Sequence, residues 1–202
     1  MVQNSRYIEY FTDGIKKNIT TSEIAGKFEM DNQVKNEISV NIWNKLYRRD
    51  FIVKNNIKYP VDIKLGEDMC FNYFTYLFID NMVFFNGDYR YYYRQIGTSA
   101  SKNINIKTDI LPTIRTIYNS LKENNVLNKY SIPLNHFRTN LNATTDKNRF
   151  YNEIREFFKD VELDINWNIN LYKKKEVVFF KSVLQSKTYF TFRINYFINK
   201  LL

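Results

Sequence analysis

The stretch Tyr59–Phe78, YPVDIKLGEDMCFNYFTYLF, sets two adjacent carboxylates, Glu67 and Asp68, between a glycine and a run of large apolar residues. After Gly66 the positions Phe71, Phe74, Leu77 and Phe78 fall at i, i+3, i+6 and i+7, the spacing of a buried helix face. Glu67 and Asp68 then occupy the first turn, where free backbone N–H groups and the helix dipole stabilise negative charge. A carboxylate so placed is also held in the charged form that a base must have to take a hydroxyl proton. The local pattern alone leaves both readings open, a helix start or a catalytic pair.

Upstream, EISVNIWNKLYRRDFIVKNNI spaces Ile42, Leu46, Phe51 and Ile52 so that one side can be buried while Lys45, Arg48, Arg49 and Lys54 stay polar. The expectation is an amphipathic, strongly basic helical region closed at Tyr59-Pro60, because the residue before proline is pushed out of the α region. Earlier still, Ile8, Phe11 and Ile15 in RYIEYFTDGIKKN lie at helical spacing and predict a short helix that Gly14 weakens. Downstream, MVFFNGDYRYYYRQ reads as two strands around Asn86-Gly87, a dipeptide suited to a tight hairpin turn. Alternation puts Tyr89, Tyr91 and Tyr93 on one face and Arg90, Tyr92 and Arg94 on the other. GTSAS then reads as a polar loop.

The rest is predicted helical. Ile106, Ile110, Ile114, Ile117 and Leu121 form one stripe, with Pro112 tolerated near that helix's N-terminus, and Phe150, Ile154, Phe157 and Val161 form another. The end, YKKKEVVFFKSVLQSKTYFTFRINYFINKLL, mixes basic and large apolar residues on a helix that either packs on the core or lies on a membrane. At 202 residues, 44% hydrophobic, with only five Gly and three Pro, the chain is expected to fold around one sizeable core as a mostly helical α+β protein.

A net charge of +9 attracts phosphates, anionic lipids or nucleic acid without choosing among them. A single cysteine, Cys70, excludes an internal disulfide and points to a cytoplasmic location. The first residues lack the apolar core of a signal peptide, and no window reads as a membrane span. Lys45, Arg49 and Arg94 offer donors suited to phosphate oxygens, or form a solvated basic face. His136, the only histidine, has no second ligand type near it and reads as structural, and Cys70 reads as a small core residue. There is no glycine-rich phosphate loop, GxSxG, HExxH or Rossmann fingerprint.

Taken in order, SVNIWNKLYRRDFIVKNNIKYP, GEDMCFNYFTYL and YRYYYRQIGTSAS resemble the second half of family 2 glycosyltransferases, GT-A enzymes that build bacterial capsule, lipopolysaccharide and other surface glycans. The resemblance spans Ile38 to Ser101. It implies a partial GT-A acceptor half over residues 1–102, including the hairpin, with a helical C-terminal extension over 103–202 packed on it. It implies that Asp68, with Glu67 beside it, is the base that deprotonates the acceptor hydroxyl. Trp43, Asn44, Lys45 and Arg49 would shape the site, and Tyr93, Arg94 and the loop holding Ser99 and Ser101 would approach the donor diphosphate. Ile96 stands where many relatives carry a histidine.

The family's nucleotide-binding sheet, with the Asp-x-Asp motif that holds Mn²⁺ or Mg²⁺ and the nucleotide sugar, has no counterpart before Trp43; FTDG and FEMDNQ do not supply it. The resemblance therefore implies no cofactor bound by this chain alone. A separate nucleotide-binding polypeptide or a second copy would complete the enzyme, acting on a glycan or lipid-linked acceptor with peripheral contact to an anionic membrane. Otherwise the chain is a truncated, non-catalytic fragment or an accessory binding subunit. A basic nucleic-acid-binding module ranks last, since no reading motif accompanies the charge.

Overall fold

The computed structural model describes residues 1–11, 14–89, 91–95 and 110–201. Half of the described residues are helical and 15% are strand, a mostly helical α+β fold. It divides into two compact units, Met1–Asp62 with Gly66–Lys102, and Ile63–Leu65 with Asn103–Leu202.

The first unit runs β1 (Val2–Asn4), β2 (Arg6–Phe11), β3 (Lys16–Thr20), β4 (Gly26–Glu29), α1 (Asn32–Glu37), β5 (Lys45–Leu46), α2 (Arg49–Lys54), α3 (Glu67–Tyr76), β6 (Asn81–Phe85) and β7 (Tyr92–Gln95). One sheet has the order β4-β6-β1-β5, with β1 parallel to β6; the other has the order β3-β2-β7, with β2 parallel to β7. Only Ser5 separates β1 from β2. Its buried backbone donates to the Phe85 carbonyl (3.2 Å) and accepts from the Thr21 N–H (2.8 Å), so the chain passes from one sheet to the next without an orphaned peptide. Alternation along β6 turns Met82 and Phe84 inward, and they join Met69, Cys70, Tyr73 and Tyr76 of α3 among the buried residues.

Four local expectations are corrected here. Among the described residues of Arg6–Asn18 there is no helix. β2 and β3 pair antiparallel from Arg6↔Thr20 to Tyr10↔Lys16, with Gly14 at φ +85° in the connection, a conformation that interrupts a helix and suits glycine. β2 also gains β7 on its other side, and two ladders outweigh the weak helical spacing. The basic region before Pro60 yields only the six-residue α2, none of it buried, and Leu46 is 74% exposed. Asn44 at φ +69° breaks any helix there.

The face expected for α3 is rotated. Phe78 is exposed, whereas Met69, Cys70, Asn72, Tyr73, Thr75 and Tyr76 are buried. Last, Asn86-Gly87 does not turn a hairpin. β6 and β7 belong to different sheets, Gly87 has no positive φ, and a Cβ there would overlap the Phe85 ring. Among the described residues, the sequence-adjacent antiparallel pair is β2–β3.

The second unit holds α4 (Ile110–Glu123), α5 (Asn135–Ala143), α6 (Lys147–Trp167), a 3-10 turn (Ile169–Leu171), α7 (Lys174–Leu184) and α8 (Tyr189–Leu201). Both predicted stripes are buried as their period requires: Ile110, Ile114, Ile117 and Leu121 on α4, and Phe150, Ile154, Phe157 and Val161 on α6. Pro112 sits in the first turn of α4, where its missing N–H costs little. Asp146 caps α6 by accepting from the Arg149 N–H at 3.0 Å. The core is a packed set of rings, with Phe158 meeting Phe180 at 5.0 Å and Phe137 at 5.5 Å, and Phe137 meeting Phe157 at 5.6 Å. Buried Tyr151 keeps its hydroxyl within 2.9 Å of the Ser186 carbonyl.

Candidate functional site

α3 starts after Gly66, whose φ of +85° turns the chain sharply into the helix. Among the described residues no side chain caps this end, and the free first-turn N–H groups favour the negative charge of Glu67 and Asp68 there. Both carboxylates are partly exposed. Asp68 is also tied to distant chain. Its Oδ1 accepts from the Tyr59 hydroxyl at 2.6 Å and its Oδ2 from the Ile42 backbone N–H at 3.2 Å. Each oxygen retains a further lone-pair site, so the carboxylate can still accept a proton or hydrogen bond from an incoming hydroxyl.

Three groups feel this charge. Burial pulls the Lys45 ammonium down to about 7, a fall that the nearby Asp68 carboxylate opposes. Lys45 donates to the Ser39 carbonyl at 2.7 Å and to the Asn41 carbonyl, bonds a neutral amine can keep. The Tyr47 phenol is raised by burial and then by Asp68. The Tyr59 phenol is raised by burial, then by its hydrogen bond to Asp68 and that carboxylate's charge. Both tyrosines therefore stay protonated donors at neutral pH. Tyr47 uses its proton on Asn72 Oδ1 (2.8 Å), and Asn72 Nδ2 donates to the Val40 carbonyl (2.7 Å). Asn72 thus pins the 39–42 loop to α3, and Asp68 clamps the same loop one turn earlier.

The Trp-Asn-Lys segment separates into three roles. Trp43 stacks on Tyr93 (4.8 Å, 19°) and Tyr91 (4.9 Å, 9°) and meets the edge of Tyr7 (4.8 Å, 80°). Asn44 adopts its left-handed conformation while accepting from the Asn4 N–H (3.0 Å) and donating its amide to the Asn4 carbonyl, which fixes the turn against β1. Lys45 opens β5 and faces Asp68 electrostatically.

The structure therefore brings Trp43 together with Tyr93, and Lys45 together with Asp68. Arg49, at the start of α2, and Arg94, on β7 opposite Tyr10, are exposed, and among the described residues no hydrogen bond or ion pair joins either one to Asp68. Ser99 and Ser101 lie outside the described residues, as do Arg90, Ile96 and Ile106. Among the described residues no group of three or more His, Cys, Asp or Glu is arranged to hold a metal ion.

Tyr59, Tyr47, Asn72 and Tyr7 escaped sequence reading as site residues. Tyr59 lies nine positions before Asp68 across a proline, and no periodicity links them. Tyr91 was legible as the partner of Tyr93 by alternation, but its Trp43 contact was not. Cys70 is fully buried, and burial followed by the Glu67 charge pushes its thiol up to about 12, which makes it a poor nucleophile. His136 sits in the first turn of α5, where burial pushes its imidazole down. Comparison with family models, with curated proteins and with solved structures finds no match for this chain.

Proposed function

We propose that this chain is the acceptor side of a family 2-like glycosyltransferase, passing a sugar from a nucleotide-sugar donor to a hydroxyl in bacterial surface polysaccharide synthesis. The observation that carries the reading is the Asp68 carboxylate, partly open at the first turn of α3 and oriented by Tyr59 and Ile42. In the reaction the acceptor hydroxyl gives its proton to Asp68 while its oxygen bonds to the anomeric carbon, and the bond to the leaving diphosphate breaks with inversion. Lys45 adjusts the field at that carboxylate and Glu67 adds charge at the same helix end; the Trp43–Tyr91–Tyr93 stack, next in the chain to Ile42, offers apolar ring surface for a sugar.

The donor sugar, its diphosphate and the Mn²⁺ or Mg²⁺ that neutralises it belong in this reading to a complementary polypeptide or a second copy, with Arg94, Arg49, Ser99 and Ser101 approaching the diphosphate. A cytoplasmic location belongs to the same reading, because nucleotide sugars are the donors. Among the described residues, no helix is long and apolar enough to cross a membrane.

A second reading is favoured by the same two hydrogen bonds: Asp68 clamps the 39–42 loop, and the chain is a non-catalytic fragment or accessory binding subunit. Substitution of Asp68 by Asn in an active complex reconstituted with a donor-binding partner separates the two. Loss of a base should lower kcat by about 10²–10⁴-fold, whereas loss of one of the two accepting oxygens by itself should lower only the melting temperature. Near wild-type turnover would leave only the clamp. Tight Mn²⁺-dependent binding of a UDP-sugar by the isolated chain, measured by calorimetry, would contradict the assignment of the donor site to another polypeptide.

A further inference from the structure

We propose that α8 docks the second unit flat onto an anionic lipid bilayer. The helix is apolar on two opposite sides. One side is satisfied within the unit: Phe192 is 5% exposed and its ring meets Phe179 at 5.7 Å and Tyr196 at 5.5 Å. On the same side, Asn195 and Asn199 donate to the Ser186 and Ser182 hydroxyls, both at 2.9 Å. The other side carries Phe190, Ile194, Phe197 and Ile198, which are 72%, 47%, 65% and 49% exposed. Their spacing of i, i+4, i+7 and i+8 places them on one face. A surface helix ordinarily turns polar there, so this face is built for something other than water.

Charge identifies the occupant. After Glu176 the chain has no acidic residue, whereas Lys181, Lys187, Arg193 and Lys200 are basic. Lys181, Lys187 and Arg193 are exposed. A second copy of the chain would set this face against its own cations, while an anionic bilayer supplies the opposite charge and accepts apolar side chains without a fixed register. Arg193 lines the open hollow of about 460 Å³ formed with the four apolar residues, and also an adjoining groove of about 480 Å³. Arg138 enters that groove and donates to the Tyr196 hydroxyl at 3.2 Å, so two guanidinium groups border one recess. Guanidinium pairs suit lipid phosphate oxygens, and tyrosine suits the headgroup layer. α8 has 13 residues and lies in the plane rather than across it.

This inference does not depend on the sugar-transfer reading and is tested without any substrate. The full chain is floated with phosphatidylcholine vesicles and with vesicles containing about 30% phosphatidylglycerol. Binding to the anionic vesicles, weakened by salt and nearly absent with the neutral ones, is the expected result. The exposed substitutions Phe190→Ser with Phe197→Ser, and separately Arg193→Glu, should each reduce binding by about tenfold or more while circular dichroism is unchanged. Phe197→Trp, which keeps an apolar ring, should shift its emission to the blue on anionic vesicles relative to wild type.

Absence of wild-type binding, or no emission shift, overturns the proposal. So does an equal loss from Lys16→Glu with Lys17→Glu on β3, which would assign binding to overall charge rather than to α8. A micromolar dimer in light scattering that Phe197→Ser dissolves would name a second copy as the occupant and overturn it as well.

Discussion

Helices α3 and α6 bury their sides by different chemistry. α6, in the second unit, is 21 residues long and buries Phe150, Tyr151, Ile154, Phe157, Phe158, Val161 and Ile165, with no charged residue among them. α3, in the first unit, is ten residues long and buries Asn72 and Thr75 with its apolar residues. Each buried polar group on α3 has a partner: Asn72 meets Tyr47 and the Val40 carbonyl, and Thr75 donates to the Phe71 carbonyl at 2.8 Å. α6 is held by transfer of apolar surface and ring packing, which ask only for the right period and volume. α3 is held partly by hydrogen bonds to chain 25 and 32 residues away, which ask for particular atoms.

The largest effect should come from emptying the α6 side. Phe157→Ala removes a fully buried ring and should cost about 3–5 kcal/mol in urea unfolding. A cost under about 1 kcal/mol would mean that the ring packing does not hold this helix. Next, Asn72→Ala should cost about 1–3 kcal/mol, because it strands the Tyr47 hydroxyl and the Val40 carbonyl in a partly buried setting. An apolar replacement of similar size, Asn72→Leu, should not restore that loss. If it did, α3 would be held in the same manner as α6. A smaller effect, about 1 kcal/mol, is expected for Asp146→Ala, which removes the N-cap of α6 but leaves its core face intact.

The smallest effect is a pH dependence in the first unit. The Lys45 amine titrates near 7 in the folded chain and near its ordinary 10.5 when unfolded. Below pH 7 it is charged in both states, and the cost of burying the ammonium is present in full. Between pH 7 and 10.5 the unfolded chain binds the extra proton, so stability rises with pH over that window. Lys45→Met should remove this rise, so wild type gains on the variant between about pH 6.5 and 9.5. Partial exposure keeps the gain modest. A gap between the two that does not change with pH would show that the Lys45 ammonium is as well solvated as a surface one.

The same contrast explains what could be read in advance. The stripes of α4 and α6 were legible because a long helix among helices obeys its own period, and so was the start of α3 at Glu67. The buried side of α3 was not, because Asn72 and Thr75 look polar until their partners are known. The Asn86-Gly87 hairpin and the Arg6–Asn18 helix failed for a related reason. Strands of two to six residues take their pairing from distant chain, here β1 with β6 and β2 with β7. In the site, the position of Asp68 at a helix start was readable, and so was the shared face of Tyr91 and Tyr93. The Tyr59 and Ile42 bonds, the Lys45 neighbourhood and the Trp43 stacking were not, since no local periodicity connects residues nine to fifty positions apart.

From sequence alone came the helical second half, the carboxylate pair at a helix N-terminus, the excess positive charge and an aromatic C-terminal segment, all properties of neighbouring residues and of composition. Tertiary structure alone decided that Asp68 meets Tyr59, that Lys45 loses its proton near neutrality, and that one face of α8 stays open. Each depends on which distant atoms share a low-dielectric space, and burial and hydrogen bonding act on that proximity rather than on order along the chain.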